Sequence, residues 1–321
     1  MSAVGTQAEH AEDAMASSGM PASKTVIFVR HAESRWNRAQ KTRNLALLLA
    51  SMDAPITSMG YEQALTLQLA LREVSGGGDE SGTAAVLTEL CRAERIWVSP
   101  LTRALQTALV ALLPVYEGPS PVPASGSQRA TEAARGMALR PIARERKSLF
   151  GIDGLGAARG KGCRERACKQ LNSLPQKPSE QELAAMRSVD CDAHEAECVW
   201  WTRTCESRGR LRRRARMLLD ELLRSDQTTL AVVSHSIFLK ELFRTALTQS
   251  TGMSADERAL VQMLCERKLP NCGVVSCQLS ATGANGAAVM SNVRSWAPKA
   301  VQQPASHRPW RRTRSTKVAP I

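Results

Sequence analysis

Thr25-Val26-Ile27-Phe28-Val29-Arg30-His31-Ala32-Glu33-Ser34-Arg35-Trp36-Asn37 is the stretch on which the reading of this chain turns. The run Thr25–Val29 has the short, apolar, β-branched character of a parallel strand buried on both faces. Arg30 and His31 therefore stand at the C-terminal end of that strand, on the rim where open α/β sheets bind ligands. Arg30 supplies a permanent cation with a fork of donors suited to phosphate oxygens. Asn37 adds a neutral donor one short turn later. Together these residue types point to phosphoryl chemistry on an imidazole.

A second stretch repeats the design. Thr229-Leu230-Ala231-Val232-Val233-Ser234 reads as another buried strand and ends in His235. The following Ser236-Ile237-Phe238-Leu239-Lys240-Glu241-Leu242-Phe243 has helical spacing, so backbone N–H groups around Ser236 are expected to face an anion. The chain has five histidines, and two of them occupy this same context. Between them lies Trp97-Val98-Ser99-Pro100-Leu101-Thr102-Arg103-Ala104-Leu105-Gln106-Thr107-Ala108. Here a short strand is expected to reach Ser99, with Ser99 as N-cap and Pro100 as first helical residue. Arg103 then lies in the first turn, placed to clamp the same anion.

These segments resemble the histidine phosphatase superfamily, the phosphoglycerate mutase-like family, and its phosphatase branch in particular. The resemblance rests on Arg30-His31-Ala32-Glu33-Ser34 with Asn37, on Ser99–Ala108, on Val233-Ser234-His235, and on Asp53-Ala54-Pro55-Ile56-Thr57-Ser58-Met59-Gly60 followed by Gln63-Ala64. The matches run in order over residues 25–245. Two positions depart from the family pattern: its usual Gly after the first His is Ala32, and the Gly that often follows the second is Ser236.

The resemblance implies a three-layer α/β/α fold with a mostly parallel central sheet and an inserted cap. It implies a phosphohydrolase of the histidine acid phosphatase type. His31 would be the nucleophile that forms a phosphohistidine. Arg30, Arg103 and His235 would surround the transferring phosphoryl group, with Asn37 and Ser236 as neutral phosphate-binding residues. Neither metal nor cofactor is called for, because the cations are already in the chain. His31 must be unprotonated on its reacting nitrogen, with the other nitrogen fixed by a backbone acceptor. Cofactor-dependent mutases carry a Gly-Trp pair and a further Asn soon after the residue matching Asn37, which Arg38–Arg43 lacks. That favours hydrolysis over mutase-type transfer, and the presence of all four core residues counts against a non-enzymatic scaffold that binds phospho-ligands.

A leaving alkoxide needs a proton. Residues 137–143 read as a third strand, and Glu145 lies just past its end, where the family places its acid. The other reading of Glu145 is an exposed carboxylate paired with Arg144 or Arg146. Asp153 is the next candidate donor.

Residues 24–295 are expected to form the phosphatase domain, with residues 1–23 and the basic, Pro-interrupted 296–321 disordered. Residues 144–206, punctuated by Gly and Pro, are expected to lie outside the sheet as the cap. From Arg140 to Lys169 nine Lys or Arg face three acidic residues. This fits either a polyanionic ligand or a solvated basic surface. The helix Ser58–Val74 is expected to bury Leu65 and Leu69, and 75–84 and 117–130 read as loops. Leu211, Ala215, Leu218, Leu219 and Leu222 mark another helix. Its opposite face carries Arg208, Arg210, Arg212, Arg213, Arg214 and Arg216, which reads as a solvated face or as a site for acidic lipid, nucleic acid or a partner.

The odd count of nine cysteines, without Cys-x-x-Cys spacing, indicates a reducing compartment and hence the cytoplasm. Cys191, Cys198 and Cys205 recur at seven-residue intervals, as one face of a helix would. No apolar run is long enough to span a membrane, and no signal peptide is visible. The expected partner is a small phosphorylated substrate or a phosphoprotein. Nucleic acid is disfavoured despite the net charge of +13.

Overall fold

The computed structural model describes residues 23–44, 46, 52–75, 82–118, 135–147, 156–201, 204–250, 252–282 and 286–298. Its centre is a seven-stranded sheet built from β1 (Ser23–Arg30), β2 (Arg95–Val98), β3 (Met137–Leu139), β4 (Cys191–Asp192), β5 (Thr229–Ser234), β6 (Val274–Thr282) and β7 (Ala287–Trp296). The spatial order is β4-β3-β2-β5-β1-β6-β7. Neighbours from β4 through β1 are parallel. The β1–β6 and β6–β7 pairs are antiparallel, so the sheet ends in a hairpin that the strand patterns had not announced.

Side chains alternate across the strands and feed two cores, as the period of two requires. Ile27, Val29, Ile96, Val98, Ala231 and Val233 enter one cluster. Val26, Phe28, Trp97, Leu230 and Val232 enter the other. The first cluster packs under α2 (Ser58–Ser75), α3 (Gly82–Cys91), α4 (Thr102–Ala111), α5 (Leu113–Glu117), α6 (Gly162–Leu171) and α7 (Glu180–Ser188). The second packs under α8 (Arg208–Arg224), α9 (Ser236–Gln249) and α10 (Ala255–Glu266). A short helix, α1 (Arg35–Lys41), follows the loop that begins at His31. The result is the expected three-layer α/β/α arrangement around a mostly parallel sheet. Among the described residues no helix is long and apolar enough to cross a membrane.

Several local expectations are corrected. In α2 the buried stripe is Tyr61, Ala64, Leu67 and Leu71, with Gln63 and Gln68. Leu69 is 59% exposed, because the helix is rotated so that the 60–64–67–71 row faces the neighbouring helices of the first core. The loop expected over 75–84 gives way to α3 at Gly82; residues 76–81 lie outside the described residues, as do 119–130 of the second loop region. The third strand stops at Leu139, and Pro141, lacking an N–H for a ladder, opens a 3-10 turn over Pro141–Ala143 instead.

The 144–206 segment does not stay outside the sheet, since Cys191 and Asp192 pair with Met137 and Ala138 as β4. The cysteine series forms no helical stripe: Cys191 is in β4, and Cys198 and Cys205 lie in irregular, exposed chain. Of the segments read as disordered tails, 1–23 and 296–321, Ser23 opens β1 and Trp296 closes β7; residues 1–22 and 299–321 lie outside the described residues, as does Asp153.

Candidate active site

Register creates the site. In the parallel β1–β5 pair Arg30 is opposite Ser234, so the next residues, His31 and His235, leave the sheet side by side. Their ring centroids are 4.8 Å apart. In the β2–β5 pair Val98 is opposite Val233, which brings Ser99 to the same level. His235 Nε2 lies 2.8 Å from Ser99 Oγ.

His31 is 1% exposed, and its Nδ1 lies 2.6 Å from the Ala32 carbonyl oxygen. A carbonyl can only accept, so Nδ1 carries the hydrogen and the lone pair belongs to Nε2. Burial, with the guanidiniums of Arg103 and Arg30 beside it, holds the His31 imidazole well below its ordinary pKa and hence neutral. Burial and Arg103 depress His235 in the same direction. His235 Nδ1 is buried with no hydrogen-bond partner, an orphan that a ligand oxygen would satisfy.

The cations are built in at a cost in solvation. Arg103 is 1% exposed on α4, a helix whose ten residues are all buried. Burial pushes Arg30 down to about 10, still charged at neutral pH. One terminal nitrogen of Arg30 donates to the Leu269 carbonyl, while its Nε is buried and unpartnered. The segment before β6 frames this edge: Cys272 N–H donates to the Arg30 carbonyl at 3.1 Å, and Asn271 Nδ2 donates to the His31 carbonyl at 2.8 Å. No sequence signal marked these residues, because their role is backbone bonding across a long chain separation.

The expected cap of α4 is corrected. Its N-cap residue is Leu101, without a side-chain cap, and the helix begins at Thr102. Ser99 faces His235 instead. Asp53 supplies the cap from afar, accepting from Thr102 N at 2.8 Å and from the Thr102 hydroxyl at 2.6 Å. Its neighbours brace the loop that begins at His31: Gln63 Oε1 accepts from Glu33 N at 2.9 Å, and Thr57 N donates to the Glu33 carbonyl at 2.9 Å. Gly60 is required there, since a Cβ would stand 2.1 Å from the Glu33 carbonyl oxygen. From α4, Thr107 Oγ1 accepts from Ala32 N at 2.9 Å.

Asn37 Oδ1 accepts from Ser34 N at 3.2 Å in a capping box at α1, which leaves its amide NH2 as the group able to donate to a ligand. Ser236 is the buried first residue of α9. Glu145 lies at the N-terminus of the same helix. Its Oε1 accepts from Phe238 N at 3.1 Å and from Arg146 N at 2.8 Å, and its Oε2 from Ile237 N at 3.4 Å. Two N–H groups expected to face the phosphate are thus given to the Glu145 carboxyl group.

Two readings of charged stretches change. Arg214 does not share the solvated face of its neighbours: it is buried and forks onto Glu206, Nε to Oε1 at 2.8 Å and Nη2 to Oε2 at 2.6 Å. Much of the basic 140–169 stretch is bonded internally as well. Arg140 stacks 4.2 Å from the centre of the Trp97 ring and pairs with Glu195 and Glu221. Arg164 donates to the Val189 carbonyl, and Arg166 lies 3.9 Å from Asp53.

Residues 26–119 match the family model "Histidine phosphatase superfamily (branch 1)". The resemblance drawn from the sequence is shown over that span. A comparison with curated proteins finds no match. Among solved structures the chain is similar to the ecdysone phosphate phosphatase of Bombix mori, at 14% identity over 89% of this chain and 98% of that one, with a TM-score of 0.46. It is also similar to the phosphoserine phosphatase of Entamoeba histolytica, at 17% identity over 85% and 97%, TM-score 0.40. A phosphoglycerate mutase of Bacillus anthracis aligns at 15% identity over 84% and 91%, TM-score 0.41.

Proposed function

We propose that this protein is a phosphomonoester hydrolase that works through a phosphohistidine on His31. The observation that carries the reading is the His31 ring itself: Nδ1 is tied to the Ala32 carbonyl, so a neutral Nε2 is presented beside His235 in the company of two buried arginines. The family match supports phosphoryl hydrolysis or transfer through a phosphohistidine in general terms.

In the first step Nε2 forms a bond to phosphorus and the bond to the ester oxygen breaks. Arg30, Arg103, His235, Asn37 and the N–H of Ser236 take up charge on the equatorial oxygens. Glu145 gives its proton to the departing oxygen, and the N–H groups of Ile237 and Phe238 that already donate to it hold the carboxylate that results. In the second step water attacks phosphorus, Glu145 takes the water's proton, and the P–N bond breaks to release phosphate and free His31. The substrate is a small phosphorylated compound or a phosphoprotein.

Incubating the purified protein with p-nitrophenyl phosphate and with 3-phosphoglycerate tests the reading. Release of inorganic phosphate, with an acid-labile and base-stable label on wild-type protein that His31→Ala lacks, is the expected result. Isomerisation of 3-phosphoglycerate without phosphate release would make it a mutase, and absence of both would leave a scaffold. Glu145→Gln should slow alkyl phosphates by roughly 10²–10⁴-fold while sparing p-nitrophenyl phosphate, whose leaving group departs unaided. Equal losses on both substrates would confine Glu145 to shaping the site.

A further inference from the structure

We infer that Arg214, through its buried pair with Glu206, is the residue that positions the proton donor. This rests on the acid role proposed for Glu145. The segment carrying Glu145 leaves the sheet after Arg140, whose N–H donates to the Val98 carbonyl at 2.8 Å, so something else must fix it. Arg214 Nη1 donates to the carbonyls of Ile142 at 2.7 Å and Arg144 at 2.6 Å, one of them the residue directly before Glu145. Its Nε and Nη2 engage both oxygens of Glu206. Glu206 in turn holds the far end of the same segment: its N–H donates to the Lys147 carbonyl at 3.0 Å, and its carbonyl accepts from Arg146 Nε at 3.2 Å. Ser234, the residue before His235, donates to the Ala143 carbonyl at 2.6 Å.

The other anchor of Glu145 is reached as well. The Arg214 guanidinium lies 4.5 Å from the centre of the Phe238 ring, and the Phe238 N–H is the donor to Glu145 Oε1. One planar cation thus touches both the chain that delivers the carboxylate and the helix turn that receives it. The fork geometry is needed, because four donors point in fixed directions at once. An ammonium carries its charge at one point and cannot span them. The division of its donors between Glu206 and the two carbonyls flanking Ala143 ties the ion pair to the chain that carries Glu145.

The test compares Arg214→Lys, the charge-free double variant Arg214→Met with Glu206→Met, and the exposed control Arg213→Met. Each is assayed on an alkyl phosphate and on p-nitrophenyl phosphate, with circular dichroism to establish folding. Arg214→Lys and the double variant are expected to lose at least tenfold more kcat/KM on the alkyl phosphate than on p-nitrophenyl phosphate. The loss should vanish when Glu145→Gln is already present. Arg213→Met should match wild type on both. Equal losses on the two substrates in folded variants, or a selective loss that persists in the Glu145→Gln background, would overturn the inference. Its failure is distinguishable from failure of the proposed function, which would show as wild-type protein without a His31-dependent phosphoryl label.

Discussion

His31 and His235 stand one residue beyond strands whose paired register aligns them, whereas Glu145 sits well past the end of β3 on chain that makes no ladder. The first pair is positioned by backbone bonds repeated along β1 and β5, so no single side chain decides where the imidazoles fall. Glu145 is positioned by side chains from distant parts of the sequence, chiefly Arg214 and Glu206. The strand-end cluster should therefore fail only when a reacting group is removed. The 141–147 segment should fail when any of its side-chain anchors goes.

The largest effect expected on the strand-end side is that of His31→Ala, which should abolish turnover and the phosphoryl label. Retention of more than a few per cent of activity would remove His31 as nucleophile. Next come Arg103→Ala and Arg30→Ala, each expected to cost about 3 kcal/mol in kcat/KM through loss of a donor to a desolvated oxyanion. Lysine at either position should restore only part, since it lacks the bidentate fork. Full activity of the lysine variants would show that charge without geometry suffices at this end of the site.

A smaller loss, this time of stability, is expected from Asp53→Ala. It leaves two buried donors of Thr102 without an acceptor, at about 1–3 kcal/mol. Chemical denaturation would show it, and an unchanged midpoint would mean that water replaces the cap. The imidazoles make a prediction about pH. Both are held below about 6.5, so the folded state binds fewer protons than the unfolded chain in the window beneath that value. Their contribution is intact above pH of about 6.5 and is lost as the pH falls, because the unfolded state then gains by taking up protons. Melting temperature should drop on acidification more steeply for wild type than for His31→Gln with His235→Gln; parallel slopes would refute this. Smallest of all, Arg213→Ala on the exposed face of α8 should change stability by less than about 0.5 kcal/mol, although in sequence it adjoins Arg214.

That last contrast shows where reading the sequence stops. Arg213 and Arg214 belong to one run, and only helix rotation separates a solvated arginine from a buried one with four bonds. Leu69 was misplaced for the same reason, since more than one row of α2 offers apolar residues at helical spacing. Ser99 followed by Pro100 is a sound local signal for a helix start, but Asp53 outcompeted it from a distant loop and freed Ser99 for His235. Asn271 and Leu269 bear no local mark at all.

The sequence by itself determined the strands that end in Arg30 and Ser234, the helix that follows His235 and the resemblance to a phosphoryl-transfer family. Buried parallel strands and their ends are written in local apolar periodicity. The tertiary structure alone decided that the two histidines meet, which arginine is buried, what caps α4 and what holds Glu145. Those outcomes depend on strand register and on side-chain bonds between residues far apart in the chain, and neither quantity has a local signature.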